Sequence, residues 1–277
     1  MKLYNLLNAG FFRLKKTKIF WCIIGITLII AIFSILNKIS TNNQEPTGEI
    51  DTILLNYINL IGFILAIFIS FYVGEEFTNG AIRNKITVGY SRIKIYFTNL
   101  IISIVVGIIV ELFYLILVSI IGIPIYGDMK MPTSQFLMFF FNMIMIITTY
   151  SCIFTCIALL SNDITLSTVL NLILVLIMIV SSSAISLTAN SQEFLTNTIL
   201  NENGEIEEVQ IHNPNYPGIK SIKIAKILLN IIPSGQAIQI VNHSENTNYP
   251  ILMLYSLCVS SVITILGIYI FNKDNLR

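Results

Sequence analysis

Few side chains in this sequence could do chemistry, and they are unevenly placed. Glu75 and Glu76 stand side by side in a charged run, GEEFTNGAIRNKITVGYSRIKIY, that continues through Arg83, Lys85 and Arg92 to Tyr96. Adjacent carboxylates invite comparison with a metalloprotease acid pair, but that chemistry needs imidazoles to hold the metal. The two histidines, His212 and His243, lie far along the chain near turn-forming residues, outside every long apolar run. Cys152 and Cys156 share one helical face; with no histidine near them they read as small hydrophobes, not metal ligands. No GxxxxGK[ST] stretch occurs, so the chain has no loop of that kind to cradle ATP phosphates. An enzyme is not expected, and neither is a metal or cofactor bound by this chain.

Glu111 stands apart from these groups, as the one ionisable residue well inside an apolar run. A charge at the bilayer centre costs at least ~2.5–3.5 kcal/mol. Glu111 must therefore be protonated, paired or turned toward a polar cavity. A structural hydrogen bond is the favoured reading. A proton carrier is the alternative, although no His, Lys or Arg accompanies it within any run.

The elements that must position these groups are membrane spans. Of 277 residues, 55% are hydrophobic and only 11% charged, against roughly 25% charged in soluble domains. Mean hydropathy is +0.80. A net charge of +1 gives no steering toward nucleic acid, and none is expected as a partner. The pattern predicts an all-α integral membrane protein, one transmembrane domain over 1–277, with six spans at 19–36, 53–73, 95–123, 136–160, 166–187 and 250–271. Each is close to the ~20 residues that cross hydrocarbon. Asp51-Thr52 is expected to cap the second span, and Pro124 to stop the third. Residues 2–16, with Leu3, Leu6, Leu7, Phe11 and Leu14 at helical spacing among basic residues, predict an interfacial helix. No small-residue cleavage site follows, so the first apolar run is read as retained. Residues 189–249 form the one long loop. A hairpin turning at Asn203-Gly204 is expected there, then two half-helices broken at Pro233-Ser234-Gly235, each too short to span.

Cation placement sets the orientation. With the N-terminus inside, the inner side holds Lys2, Arg13, Lys15, Lys16, Lys18, Arg83, Lys85, Arg92, Lys94, Lys273 and Arg277, while the short outer loops hold only Lys38 and Lys130. The positive-inside rule then places both ends in the cytoplasm. The charged run becomes a cytoplasmic elbow over 75–92. It is expected to form a short helix from Glu75, with acids in its first turn and cations in its last, as the helix dipole favours. Gly80 interrupts it, Gly89 ends it in a left-handed conformation, and Ser91 caps the third span. Leading into the elbow, Gly62, Ala66, Ser70 and Gly74 recur at four-residue spacing. Such a stripe lets helix backbones approach closely, within one chain or across a dimer seam.

The elbow also carries a resemblance. G74-E75-E76-F77-x-x-G80-x-I82-R83-N84-K85, followed by G89-x-S91-R92 and Tyr96, resembles the loop after the second span in ABC type-2 transporter permeases. That loop reads E-x-x-x-G-T-I-R, then G-x-S-R, then an aromatic at the start of the third span. Ala81 departs from the family's usual Thr, which weakens any hydroxyl contact there. The resemblance implies an interfacial helix, a coupling helix after the second span and a broken re-entrant helix before the sixth. It implies that Glu76, Gly80, Arg83 and Arg92 belong to a coupling helix docking into an ATPase subunit, with Glu75, Lys85, Gly89 and Ser91 completing the elbow. Asp163, in the loop Ser161-Asn162-Asp163, would be a lesser contact. Two permease chains, alike or different, would pair across their second and fifth spans, above two ATPase chains that carry ATP and magnesium. The cargo implied is an amphipathic peptide or a lipid-like molecule, as in exporters of antimicrobial or toxic peptides and in bacitracin or lantibiotic immunity. Tyr57, Asn59, Phe63, Asn171 and Ser182 are the candidate lining of its path. Abundant Asn, Ile and Lys fit the cell membrane of a low-GC bacterium. Two rival readings are a secondary transporter using Glu111 and a membrane scaffold or sensor that binds a ligand on its outer loop.

Overall fold

A computed structural model describes residues 3–41, 50–200, 206–242 and 248–273. The expected Asn203-Gly204 turn, His243, Lys2 and Arg277 lie outside the described residues. The helices are α1 (Leu3–Lys16), α2 (Lys18–Thr41), α3 (Ile50–Asn56), α4 (Ile61–Thr78), α5 (Ala81–Thr87), α6 (Arg92–Tyr126), α7 (Thr133–Ser161), α8 (Ile164–Ala189), α9 (Ile219–Ile231), α10 (Pro233–Val241) and α11 (Tyr249–Lys273). An antiparallel pair, β1 (Phe194–Leu200) and β2 (Ile206–His212), lies between α8 and α9. Among the described residues, six segments are long and apolar enough to cross a membrane: α2, α3 with α4, α6, α7, α8 and α11. The fold is that of an all-α, multi-pass membrane protein.

α4 and α7 form the centre of the bundle; α2, α8 and α11 surround it and leave most of their apolar surface outward. The small-residue stripe explains how α4 fits there. A Cβ on Gly62 would come within 2.9 Å of Val175 Cγ2, and one on Gly74 within 2.6 Å of Ile164 Cγ1. Ser70 Oγ accepts a 2.8 Å hydrogen bond from Asn171 Nδ2. Gly62, Ala66, Ser70 and Gly74 are all buried. Within the chain the stripe seats the second span against the fifth.

Three local expectations change. The second span is not one helix, because a 3-10 turn at Tyr57–Asn59 separates α3 from α4. There the Tyr57 ring stacks on Tyr114 with centroids 3.9 Å apart, and its hydroxyl meets Thr27 Oγ1 at 3.0 Å. Tyr114 in turn donates to the Ile53 carbonyl at 2.9 Å. The third span runs through Pro124 to Tyr126 and ends at Gly127, whose φ is +82°. A proline so near the end removes a single backbone hydrogen bond and leaves the turn intact. Asp51 lies within the first turn of α3, and its Oδ2 accepts from the backbone N–H groups of Lys130 and Met131 at 3.1 and 3.0 Å. Its carboxylate thus holds the α6–α7 loop.

The half-helices before the last span meet at 105°. The break falls at Ile232, which is extended, and Pro233 opens α10 as its first helical residue. Ser234, Gly235 and Gln236 are therefore buried helix, not a loop. Hydrogen bonds fix α10 to its neighbours: Ser234 to Ser182 at 2.8 Å, Ser256 to Gln236 Oε1 at 2.7 Å, and Gln236 Nε2 to the Asn230 carbonyl at 2.6 Å. A Cβ on Gly235 would lie 2.6 Å from the Leu229 carbonyl oxygen and 2.9 Å from Leu229 Cα. Backbone atoms yield little, so Gly235→Ala is expected to cost ~1–3 kcal/mol through overpacking. The melting midpoint of the purified variant in detergent checks this; an unchanged midpoint contradicts the close approach.

Candidate functional site

The chain after the second span does not start a new helix at Glu75. The hydrogen-bond ladder of α4 carries on through Gly74, Glu75 and Glu76 to Thr78, because nothing there stops it. Gly80, at φ +65°, is the first residue to break it, and α5 begins at Ala81. The acids consequently occupy the last turn of α4, the end that the helix dipole makes unfavourable for negative charge. The expected acids-first helix is thus corrected: carboxylates end one helix, and α5 carries Arg83 and Lys85.

What compensates Glu76 is a cage of donors from three other elements. Its side chain is 3% exposed, and Arg13 Nη1 of α1 lies 2.7 Å from Oε1. Lys85 Nζ of α5 bonds the same oxygen, and Asn99 Nδ2 of α6 donates to Oε2 at 3.1 Å. Arg13 also donates to the Tyr72 carbonyl at 2.9 Å and stacks over the Tyr72 ring at 3.8 Å. The Tyr72 hydroxyl donates back to the Gly10 carbonyl at 2.9 Å. One buried carboxylate thereby joins the N-terminal helix, the second span, the short α5 and the third span. A buried charge so satisfied is specific in geometry, and removing one partner leaves another uncompensated.

The other elbow residues take different places. α5 ends with the Tyr90 N–H on the Lys85 carbonyl at 3.1 Å and Gly89 at φ +96°, the left-handed ending expected there. Ser91 sits at the N-cap of α6, but its hydroxyl makes no capping bond; its carbonyl alone accepts the first helical N–H groups. Arg92 Nη1 donates to the carbonyls of Phe271 and Asn272 at 2.8 and 3.3 Å, so it closes the C-terminal end of α11. Arg83 is exposed on α5, as are Asn84, Thr87 and Val88. Glu75 is half-buried, and Gly80 faces open space. Asp163 caps α8, accepting from the Leu166 N–H at 2.8 Å, and its neighbour Ile164 packs on Gly74. The loop between the fourth and fifth spans therefore abuts the same end of the second span as Glu76.

The five candidate path residues differ in burial. Tyr57, Asn171 and Ser182 are buried and hydrogen-bonded inside the bundle. Asn59 and Phe63 are half-buried, and Phe63 faces an apolar cleft of about 270 Å3 between α2 and α4. Glu111 is fully buried with no hydrogen-bond partner on either carboxyl oxygen, so the structural hydrogen bond expected of it is not made. Sequence reasoning also missed Arg13 and Asn99 as partners of Glu76, and Tyr72 as a partner of Arg13. Their signal was faint: Asn99 is a lone amide early in an apolar run, and Tyr72 precedes Glu76 by one helical turn.

The model of the ABC-2 family transporter protein family matches residues 6–180. This chain belongs to that family. Comparison with curated proteins produced no match. The matched span of this ABC-2 permease runs from α1 through most of α8 and contains every group around Glu76. The bent pair α9–α10 and the last span follow it. The permease is a membrane component of an ABC transporter, a transport chain by family.

Proposed function

We propose that this permease is half of an ATP-driven exporter, and that α5 is the foot through which separate ATPase chains move it. Support comes above all from the cage around Glu76. A seven-residue helix cannot hold itself rigid in water. Lys85 fastens α5 to a carboxylate that Arg13 and Asn99 fasten to two further helices, and this leaves Arg83 and its neighbours presented outward. A load applied to that face passes into α1, α4 and α6 together. Two ATPase chains, holding ATP and magnesium, dock from the cytoplasm, where the cation distribution puts both ends of the permease. A second permease chain, identical or different, completes the path, and the outward apolar surface of α8 is its contact. The cargo is an amphipathic peptide or lipid-like molecule, an assignment favoured by the apolar cleft beside Phe63. The bacterial cell membrane is the setting.

Co-purification tests the reading. A tagged permease, gently solubilised, is expected to bring down a nucleotide-binding chain. Arg83→Glu reverses an exposed charge without touching the cage; it should abolish that association while leaving the melting midpoint within about 1 °C, since exposed substitutions usually change stability by less than ~0.5 kcal/mol. Retained association in Arg83→Glu, or none in the wild type, counts against the foot. A second reading, proton-coupled transport, has one observation in its favour, the unpartnered carboxyl of Glu111. It requires that Glu111→Gln abolish transport and that Arg83→Glu leave it intact.

A further inference from the structure

At the end of the bundle opposite Glu76, a cleft of about 240 Å3 opens between the C-terminus of α8, the bent pair α9–α10 and the start of α11. The opposition follows from α11 itself, whose last turn meets Arg92 beside the foot while its first turn lines the cleft. The cleft's polar lining includes Asn190, Lys226, Asn230, Gln239 and Asn242, and Leu229 is among its apolar residues. Gln239 Nε2 donates to Asn230 Oδ1 at 3.1 Å, so part of the rim is organised in advance.

The donor set chooses the sign of the ligand. Lys226 brings an ammonium to a lining otherwise made of neutral amides and apolar side chains with Ser186, and no carboxylate is present among the described lining residues. Such a set attracts an anion and repels a cation. Among the described residues, no aromatic ring lines the cleft to stack on a sugar. Its volume falls below the ~300–1,000 Å3 that encloses a drug-sized ligand, so it suits a headgroup and not a whole molecule. Lys226 also continues a stripe on α9, with Lys220 and Lys223 at three-residue steps. Beside that stripe Ile224, Ile227, Leu228 and Ile231 are exposed. A basic helix with an uncovered apolar flank lies among headgroups, with its cations at the phosphates and its apolar side toward the chains.

We propose that this cleft binds a phosphate group of the kind an anionic phospholipid carries, with Lys226 as its charged contact. The site stands independently of the ATPase reading, and its loss would leave docking at α5 untouched. The experiment titrates the purified permease in detergent with short-chain phosphatidylglycerol, and in a parallel arm with inorganic phosphate, following binding by calorimetry. Lys226→Gln is expected to weaken lipid binding by about tenfold, as loss of a hydrogen bond to a charged group does. Lys220→Gln lies on the same stripe but outside the cleft lining and should weaken it by less than about threefold. Asn242→Ala removes a neutral donor, should weaken binding by about threefold, and serves in place of Lys226→Gln if that protein melts early. Competition by inorganic phosphate that disappears in Lys226→Gln identifies the free ion as a sufficient ligand. Lipid binding without such competition identifies the phospholipid. Equal losses from Lys220→Gln and Lys226→Gln, or full binding by a folded Lys226→Gln protein, overturn the site.

Discussion

Replacing Glu76 with Gln is expected to lower the stability of the purified permease by about 3 kcal/mol and to uncouple it from its ATPase chains. Breaking a buried pair by removing one partner typically costs 3–5 kcal/mol, because a charge is left without compensation. Here the figure sits at the lower end. Glu76 is 3% exposed, but the side chains of Arg13 and Lys85 are 28% and 20% exposed and can recover some hydration. Both cations converge on the same oxygen, so the neutral variant also sets them against each other. Asn99 keeps a partner in the glutamine carbonyl, which confines the loss to the ionic part of the cage. Two measurements are needed: the melting midpoint in detergent, and ATP hydrolysis by the partner chains with and without the permease. A Glu76→Gln protein that melts normally and still stimulates hydrolysis would show the cage to be dispensable. A cycle with Lys85→Gln should give a coupling of at least ~1 kcal/mol, as expected of groups in direct contact.

The second large effect is expected at Gly74. In Gly74→Val, the new Cβ would lie 2.9 Å from the Ile164 Cα and 2.6 Å from its Cγ1, before the two methyl groups are counted. Exchanging glycine for valine gains less than ~0.5 kcal/mol of helix propensity, because valine is itself a poor helix former. Overpacking against a backbone atom costs ~1–3 kcal/mol, and a β-branched residue belongs at the upper end, so destabilisation wins by about 2 kcal/mol. Gly25→Ala provides the comparison, since a Cβ there meets nothing within 4 Å. It should be neutral or slightly stabilising in the same melting experiment. Equal behaviour of the two variants would mean that α4 and α8 do not pack as described. Because Ile164 follows Asp163, Gly74→Val would also displace the short loop next to the foot, and a fall in ATPase stimulation should accompany the fall in stability.

The spans were legible because each is a long apolar run, and hydropathy needs no tertiary information. The bend at 219–241 was legible for a related reason: two apolar stretches too short to span, with a proline between them. Its exact joint was not. Pro233 is a helix opener as readily as a breaker, and the contact of Gly235 with Leu229 decides which, a contact invisible in one dimension. The stripe Gly62–Ala66–Ser70–Gly74 announced close packing without naming the partner, since small residues serve any helix that approaches. The elbow was found by charge and glycine, yet its register slipped. Glu75 and Glu76 were given to the following helix on dipole grounds, whereas the dipole is a fraction of a kcal/mol and the cage around Glu76 outweighs it. Arg13 lies 63 residues before Glu76, a separation at which no local pattern reports pairing. Tyr57, a candidate path residue of the second span, is a polar aromatic in an apolar run. Its stacking on Tyr114 and its bond to Thr27 show why such a residue is tolerated in a core: its hydroxyl is satisfied there.

The most direct measurement of the central claim is photo-crosslinking from the foot itself. A photoreactive amino acid placed at Arg83, and in a separate protein at Ile219 near the opposite end, is irradiated in membranes that contain the complete transporter. The account predicts an adduct with the nucleotide-binding chain from position 83 and none from position 219. An adduct from position 219, or silence at 83 while the complex is intact, would contradict it.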